Sequence, residues 1–333
     1  MSSVPGPGGV TARAPQAAVG QPVATPRAPE APIAVLGPGG VGGLLAGALA
    51  RAGTPTVVVA RDSTARAIAE RGLRVSSVGL GDFTAHPRAL ARLEEPVGAL
   101  IVATKATGLE DALERVQTSP GLVLPLLNGL DHLGLLRARF GEGAVVAGTI
   151  RVEADRPEPG VVVHTSPFLR VDMASEHPAA RPAMEALAAT LEAAGIPVRL
   201  GDSEARVMWG KLVRLNALAC TTSAFDKLLG EIRDTPELRA ELVGAIEEGC
   251  AVANAEGAGI DAGDPLGELT AAHATLGSSM QRDIAAGRTP ELDAIPGAVL
   301  RAAARHGIPC PTIERLVRTI AARAGVPAPI PAC

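Results

Sequence analysis

The stretch "IAVLGPGGVGGLLAGALARAG", residues 33–53, constrains this chain more than any other. Four apolar residues that read as a strand run into a glycine-rich turn, and the turn runs into an alanine- and leucine-rich helix. Glycine loses more backbone freedom on ordering than any other residue, so glycines gathered between strand and helix mark backbone that another group approaches closely. Gly37, Gly39 and Gly42 fall on the G-x-G-x-x-G spacing. The first glycine of that pattern permits the turn, the second lets a pyrophosphate reach the main chain, and the third lets helix lie against strand. With Pro38, Gly40 and Val41 between them, the loop reads as the phosphate cradle of a dinucleotide. The competing reading is a glycine turn kept only for packing.

The pattern then repeats. Apolar strands near 33–36, 56–60, 98–103 and 121–127 alternate with helical stretches near 43–52, 64–71 and 108–116. Short apolar runs separated by helices predict a parallel sheet covered on both faces, a doubly wound α/β domain of Rossmann type. Ligands of such sheets bind outside the carboxyl ends of the strands, so the residues at those ends carry the information. The first strand ends in the glycine loop, the second in Arg61, the third in Thr104 and Lys105, and the fourth in Asn128 and Gly129. Where an NAD enzyme carries an acid for the ribose hydroxyl, this chain carries Arg61, whose guanidinium fork matches a 2′-phosphate. Arg66 lies one helical turn further, while the neighbouring Asp62 keeps NAD open. NADP is the favoured cofactor.

Residues 145–172 alternate well enough for two or three further strands, a helix follows at 178–194, and "GIPVRL" reads as the last strand. Helical periodicity takes over from Ser203. The expected layout is an extension at 1–32, a nucleotide-binding domain at 33–202, an all-helical domain at 203–326 and a tail at 327–333. The extension is rich in Pro, Ala and Gly, which cannot bury enough apolar surface to offset ordering, and is expected to be disordered. In "SEARVMWGKLVRLNALACTTSAF", Val207, Met208, Lys211, Leu215 and Leu218 share one helix face. A lysine in such a stripe either snorkels to solvent or faces a cleft, where desolvation would bring it toward a catalytic acidity; the pattern alone does not choose. Further on, Ser278, Ser279, Asp283 and Glu291 look like polar groups on facing helices, though a cap and a solvated face would explain them as well.

Bulk properties narrow the function classes. A net charge of −4, a single tryptophan, four phenylalanines and no tyrosine argue against a nucleic-acid partner. There is no apolar run of membrane-spanning length, and residues 1–32 lack the unbroken apolar core expected of a secretory signal. Cys220, Cys250, Cys310 and Cys333 show neither pairing nor metal spacing, which reads as reduced thiols in a cytoplasmic protein with no metal.

Taken in order, "VLGPGGVGG", "VATKAT", "LPLLNGLDHLGLL", "GVVVHTS", "WGKLVRLNALACTTSAF" and the "SSMQRDIAAGRTPELD" segment resemble the ketopantoate reductase (2-dehydropantoate 2-reductase) family over about residues 33–325. The resemblance implies NADPH-dependent reduction of a small 2-oxo acid to a 2-hydroxy acid in a cleft between the two domains. It implies Lys211 as proton donor, Glu291 as the acid beside it, Ser279 at the substrate carboxylate, Asn128 beside the nicotinamide, and Lys105 after the third strand. The chain departs from the family at Leu215, Ala219 and Leu276, each an apolar residue where the family carries an asparagine; Asn216 stands one step around the helix from Leu215. A pocket that loses amides selects hydroxyl-rich substrates less strongly, which predicts a larger or more apolar ketone. Two rival readings remain open: an imine- or β-hydroxyacid-type dehydrogenase, and a non-catalytic NADPH sensor. A homodimer is a further expectation, since helical domains with small apolar faces often pair.

Overall fold

The computed structural model of the protein describes Met1 and residues 31–329; the expected disorder of the extension and the tail beyond 329 lie outside these. The first half runs β1 (Ile33–Leu36), α1 (Gly40–Arg51), β2 (Thr56–Val59), α2 (Asp62–Arg71), then β3 (Leu73–Ser77), β4 (Phe83–Ala85) and β5 (Arg88–Leu90). It continues through β6 (Ala99–Val102), α3 (Leu109–Leu113), β7 (Val123–Pro125), α4 (His132–Phe140) and β8 (Ala147–Arg151). β9 (Ala154–Glu158), β10 (Val161–His164), β11 (Arg170–Ala174), α5 (Arg181–Ala193) and β12 (Val198–Leu200) close this half.

β5, β2, β1, β6 and β7 form an all-parallel sheet in that order. β1, β2 and β6 are buried along their whole length, as strands covered on both faces must be. Beyond β7 the sheet passes through a single parallel bridge, Val123 to Val145, toward β8, which pairs with β11 and so with β12. A second sheet, β4-β3-β10-β9, lies over α1. The sequence periodicity missed β3, β4 and β5, and allowed two or three strands where β8 to β11 are four. The misses have a physical reason: β4 and β5 hold three residues each, and the β9 sequence "ADRPE" is almost wholly exposed, so neither shows a usable apolar period.

The second sheet explains a set of glycines that the nucleotide turn does not. A methyl group at Gly40 would stand 2.2 Å from Ala154 O, at Gly43 2.6 Å from Val162 Cγ2, and at Gly47 2.9 Å from Val75 Cγ2. Spaced by about one and two turns, these positions form a bare stripe on α1 that β9, β10 and β3 press against. Gly40, expected in the cofactor loop, therefore owes its missing side chain to strand packing.

After β12 the described chain is helical: α6 (Glu204–Phe225), α7 (Leu229–Asp234), α8 (Pro236–Ala255), α9 (Gly263–Ala271), α10 (Ser279–Ala285), α11 (Ala298–His306) and α12 (Pro311–Ala324). α6 starts at Ser203, whose side chain accepts from Arg206 N, and stops at Asp226 in the left-handed conformation (φ 54°). Its 22 residues are the axis around which α8 and α12 pack, with Trp209, Leu212, Val213, Ala217 and Cys220 in the shared core. The opposite face of α6 lies against β8 and β11. One helix thus serves both as the core of one half and as the surface on which the other half packs. No described helix is long and apolar enough to cross a membrane.

Candidate active site

The glycine turn is built as its spacing requires. Gly37 has φ +88°, a conformation that favours glycine, and a methyl group there would meet Thr104 Cγ2 at 2.7 Å. At Gly42 it would meet Gly37 O at 2.3 Å, which is the close helix-on-strand contact. At Gly39 it would meet nothing within 4 Å, so the main chain is open there. The N-terminus of α1 has no side-chain cap and no acidic residue in its first turn. Its free N–H groups and positive dipole end are left for an anion. Beside the turn, Thr104 Oγ1 is buried with no hydrogen-bond partner. Arg61 sits at the N-cap of α2, exposed, and like Arg66 it makes no ion pair with a described residue. These residues fit a dinucleotide: an open turn and helix N-terminus for the pyrophosphate, a free guanidinium at the second strand end.

Facing this edge is a chain of polar side chains that crosses from one half to the other. Lys211 Nζ donates to Asn128 Oδ1 at 2.9 Å. Asn128 Nδ2 donates to Glu291 Oε2 at 3.0 Å, and Glu291 Oε1 accepts from Ala106 N at 3.4 Å. Glu291 is buried, 7% exposed, and holds the loops after β6 and β7 together. The next residue after Asn128, Gly129 (φ +89°), lets the turn fit against the helical half: a methyl group would stand 2.1 Å from Ala294 O. Ala294 belongs to a π-helical turn, Asp293–Gly297, that contains Pro296; proline cannot supply the usual helical N–H, and the widened turn directs this carbonyl at the strand end. Lys105 Nζ adds a second crossing, 2.7 Å from Asp283 Oδ2, whose other oxygen accepts from Arg288 Nε at 2.8 Å.

Burial sets the acidity of the lysine. The Lys211 ammonium is pushed down from the usual 10.5 to about 8, first by desolvation and next by the Arg214 guanidinium; Glu291 opposes the shift. His132, the first residue of α4, is buried close enough to Lys211 to feel its charge. Burial first and that charge second hold it down at about 4, so it is neutral at physiological pH, and its Nε2 has no partner. Sequence reasoning passed over it, having only its neighbourhood to Asn128 as a signal.

Other expected residues are placed less centrally. Ser278, not Ser279, caps α10, accepting from Gln281 N and from Thr222 Oγ1. Ser279 is the first residue of that helix and is exposed. Leu215 lies one turn from Lys211 on the same face, half-buried. Asn216 is not brought to the polar chain: it is fully buried, and its Oδ1 accepts a weak bond from Cys220 Sγ on the next turn of its own helix. Leu276 is likewise buried in the helical core. Both were expected beside substrate; Asn216 is turned inward by its position on α6, while Leu276, in the loop between α9 and α10, packs into the helical core. Cys220, Cys250 and Cys310 are free and buried, and no described group of His, Cys, Asp and Glu could hold a metal ion.

Two arginines at the cleft were not singled out from the sequence. Arg151 ends β8, a further strand end on the ligand edge, and Arg214 stands three residues after Lys211 on the same face of α6. Arg151 follows the strand-end rule that found Arg61, but only once the end of β8 is known, and Arg214 shares the helix face of Lys211.

A Rossmann-type sheet whose ligand edge meets a desolvated lysine from an all-helical second half is the arrangement expected of a nicotinamide-dependent oxidoreductase. The comparisons make the assignment particular. The family described as "Ketopantoate reductase PanE/ApbA" matches residues 33–174, and "Ketopantoate reductase PanE/ApbA C terminal" matches residues 205–324. The chain is 32% identical over 307 residues to the 2-dehydropantoate 2-reductase of Mycobacterium tuberculosis, covering 89% of this chain and 98% of that one. The crystal structure of 2-dehydropantoate 2-reductase from Geobacter metallireducens superposes with a TM-score of 0.79 at 28% identity, over 86% of this chain and 98% of the other. A D-mandelate dehydrogenase crystallised with NADH and anilino(oxo)acetate shares the fold, with a TM-score of 0.80 at 21% identity, over 88% of this chain and 98% of that one. The chain belongs to the ketopantoate reductase family and is an oxidoreductase of the 2-dehydropantoate 2-reductase type.

Proposed function

We propose that the protein uses NADPH to reduce a 2-oxo acid, of the ketopantoate kind or with a more apolar side chain, and that Lys211 supplies the proton. The observation carrying this reading is the Lys211 Nζ to Asn128 Oδ1 bond of 2.9 Å, which holds an ammonium of lowered pKa, and so a readier proton donor, at the ligand edge of the sheet. A nicotinamide cofactor held by the glycine turn would supply the hydride that the carbonyl carbon takes up. Negative charge then grows on the carbonyl oxygen, and a nearby ammonium both stabilises that charge and hands over a proton. Asn128 fixes Lys211 from one side and is itself fixed by Glu291, so the amine is aimed before substrate arrives. His132 stays neutral and neither competes for the proton nor repels the ammonium. Arg61 and Arg66, unpaired with described residues, support NADPH over NADH. Leu215 beside the ammonium supports an apolar substituent on the ketone.

The test is oxidation of NADPH, followed by its absorbance, with ketopantoate and a series of 2-oxo acids bearing branched and aromatic side chains. Turnover is expected with at least one, and Lys211→Ala should lower kcat by about 10²- to 10⁴-fold while leaving NADPH affinity within a few-fold. Tight NADPH binding without oxidation by any oxo acid would refute catalysis and favour the sensing role; a secondary amine product from keto acid plus amine would favour imine reduction.

A further inference from the structure

Arg151, Arg214 and Glu268 form an ion cluster whose balance is unusual. Arg151 Nη1 lies 2.6 Å and Arg214 Nε 3.2 Å from the same atom, Glu268 Oε2. The two guanidiniums are the more buried partners, at 20% and 18% exposure, and their single counter-ion is the more exposed, at 45%. Arg151 Nε and Arg214 Nε are buried and complete no hydrogen bond. Two positive charges share one carboxylate oxygen, with donors left over, in a place where burial makes an uncompensated charge costly. The location is specific. Arg214 is one turn from Lys211 on the same face of α6, where side chains three apart are neighbours, and both arginines are close enough to lower the pKa of its ammonium. Arg151 ends β8 on the ligand edge.

We propose that the Arg151–Arg214 pair is the seat of the substrate's carboxylate, which replaces Glu268 as the partner of the two guanidiniums. The inference rests on the 2-oxo acid reading and deepens it. In a 2-oxo acid the carboxylate carbon is bonded directly to the carbonyl carbon, so an anion site one helical turn from the proton donor has the right reach. Ser279, whose hydroxyl engages no described residue, offers a hydrogen bond but no opposite charge. An arginine fork supplies both, with the planar geometry a carboxylate matches. The seat also orients: with the carboxylate held by Arg214, the ketone oxygen falls toward Lys211 and the substituent toward Leu215.

The experiment compares a 2-oxo acid with its methyl ester in wild type, Arg151→Gln, Arg214→Gln, Arg214→Lys and Glu268→Gln, and measures binding of oxamate, a non-reducible isostere, by calorimetry. Arg151→Gln and Arg214→Gln should each lower the acid-to-ester ratio of kcat/KM about 10- to 100-fold and weaken oxamate comparably. Arg214→Lys should retain part of the ratio, and Glu268→Gln should raise it and tighten oxamate. Equal losses on acid and ester, with oxamate binding unmoved in the arginine variants, would overturn the seat while leaving the reductase reading intact. Wild-type inactivity on every oxo compound would instead overturn that reading, and the oxamate isotherms would still decide whether the arginines hold a carboxylate.

Discussion

Lys211→Met should make the folded protein more stable at neutral pH while removing the proposed proton donor. The folded state holds the amine at about 8 and the unfolded chain at the usual 10.5. Between those values the unfolded chain binds more protons, so stability contributed by this site rises with pH across that window and is lowest below it. A displacement of that size corresponds to roughly 3 kcal/mol against folding at pH 7 and under about 1 kcal/mol at pH 10. Because the side chain is half-buried rather than dry, solvent screening reduces the difference between the two pH values to about 1 kcal/mol. At about 2–3 °C per kcal/mol for a chain of this size, Lys211→Met should gain about 2–3 °C in Tm over wild type on going from pH 10 to pH 7. The assay is thermal unfolding of both proteins at the two pH values. Effects of the substitution that do not involve charge, such as the lost bond to Asn128 or altered packing, are common to both pH values and cancel in the comparison. In parallel, kcat/KM for reduction by wild type should fall as pH rises through about 8, because in the proposed mechanism the ammonium and not the amine donates. A gap between the two proteins that is the same at pH 7 and pH 10 would refute the desolvated ammonium, and with it the physical basis for its acidity.

Three shorter tests address other parts of the site. Arg61→Ala should raise Kd for NADPH by at least tenfold more than for NADH, read from fluorescence titrations; equal losses would show that this guanidinium does not meet a 2′-phosphate. Gly129→Ala combines a left-handed backbone with a methyl group 2.1 Å from Ala294 O, and should cost about 2–3 kcal/mol in unfolding experiments and lower kcat by displacing Asn128. Asp283→Asn removes the shared partner of two largely exposed cations, Lys105 and Arg288; the expected cost is only about 1 kcal/mol, and roughly 0.5 M salt should abolish most of the difference from wild type.

The glycine loop, Arg61, Thr104, Lys105 and Asn128 were legible in the sequence because each comes directly after an apolar run, and a parallel sheet places every strand end on one edge. Arg151 obeys the same rule and was missed because β8 falls in a region of four short, irregular strands where the ends could not be located. Lys211 stood out as a charge in an apolar stripe, yet the pattern could not say which way that stripe faced. α6 is apolar on nearly all sides: one face fills the helical core through Leu212, Val213 and Ala217, and another lies on β8 and β11. Asn216 shows the converse error. Asn216, one step around the helix from Leu215, was a candidate at the substrate, but that one residue of rotation carries it into the interior.

The stripe Gly40, Gly43 and Gly47 carries the same lesson into function. Those glycines bring β9 against α1, with Ala154 O beside the first turn of the helix, and so fix the strand pair that comes after Arg151 at the mouth of the cleft. Glycines for a cofactor turn and glycines for strand packing are interleaved in one helix, indistinguishable by spacing until the second sheet is seen. The consequence is mechanical. β8, ending in Arg151, runs into β9 through only Val152 and Glu153, and β9 is held by α1, whose N-terminus is open to a phosphate. The main-chain path from that helix end to Arg151 is therefore a few residues of packed strand and helix. Arg214 and Lys211, by contrast, arrive on α6, a separate rigid element. The two guanidiniums meet only when both halves are correctly docked, which makes their shared carboxylate a sensitive reporter of the alignment that the proposed proton and hydride delivery to one carbonyl requires.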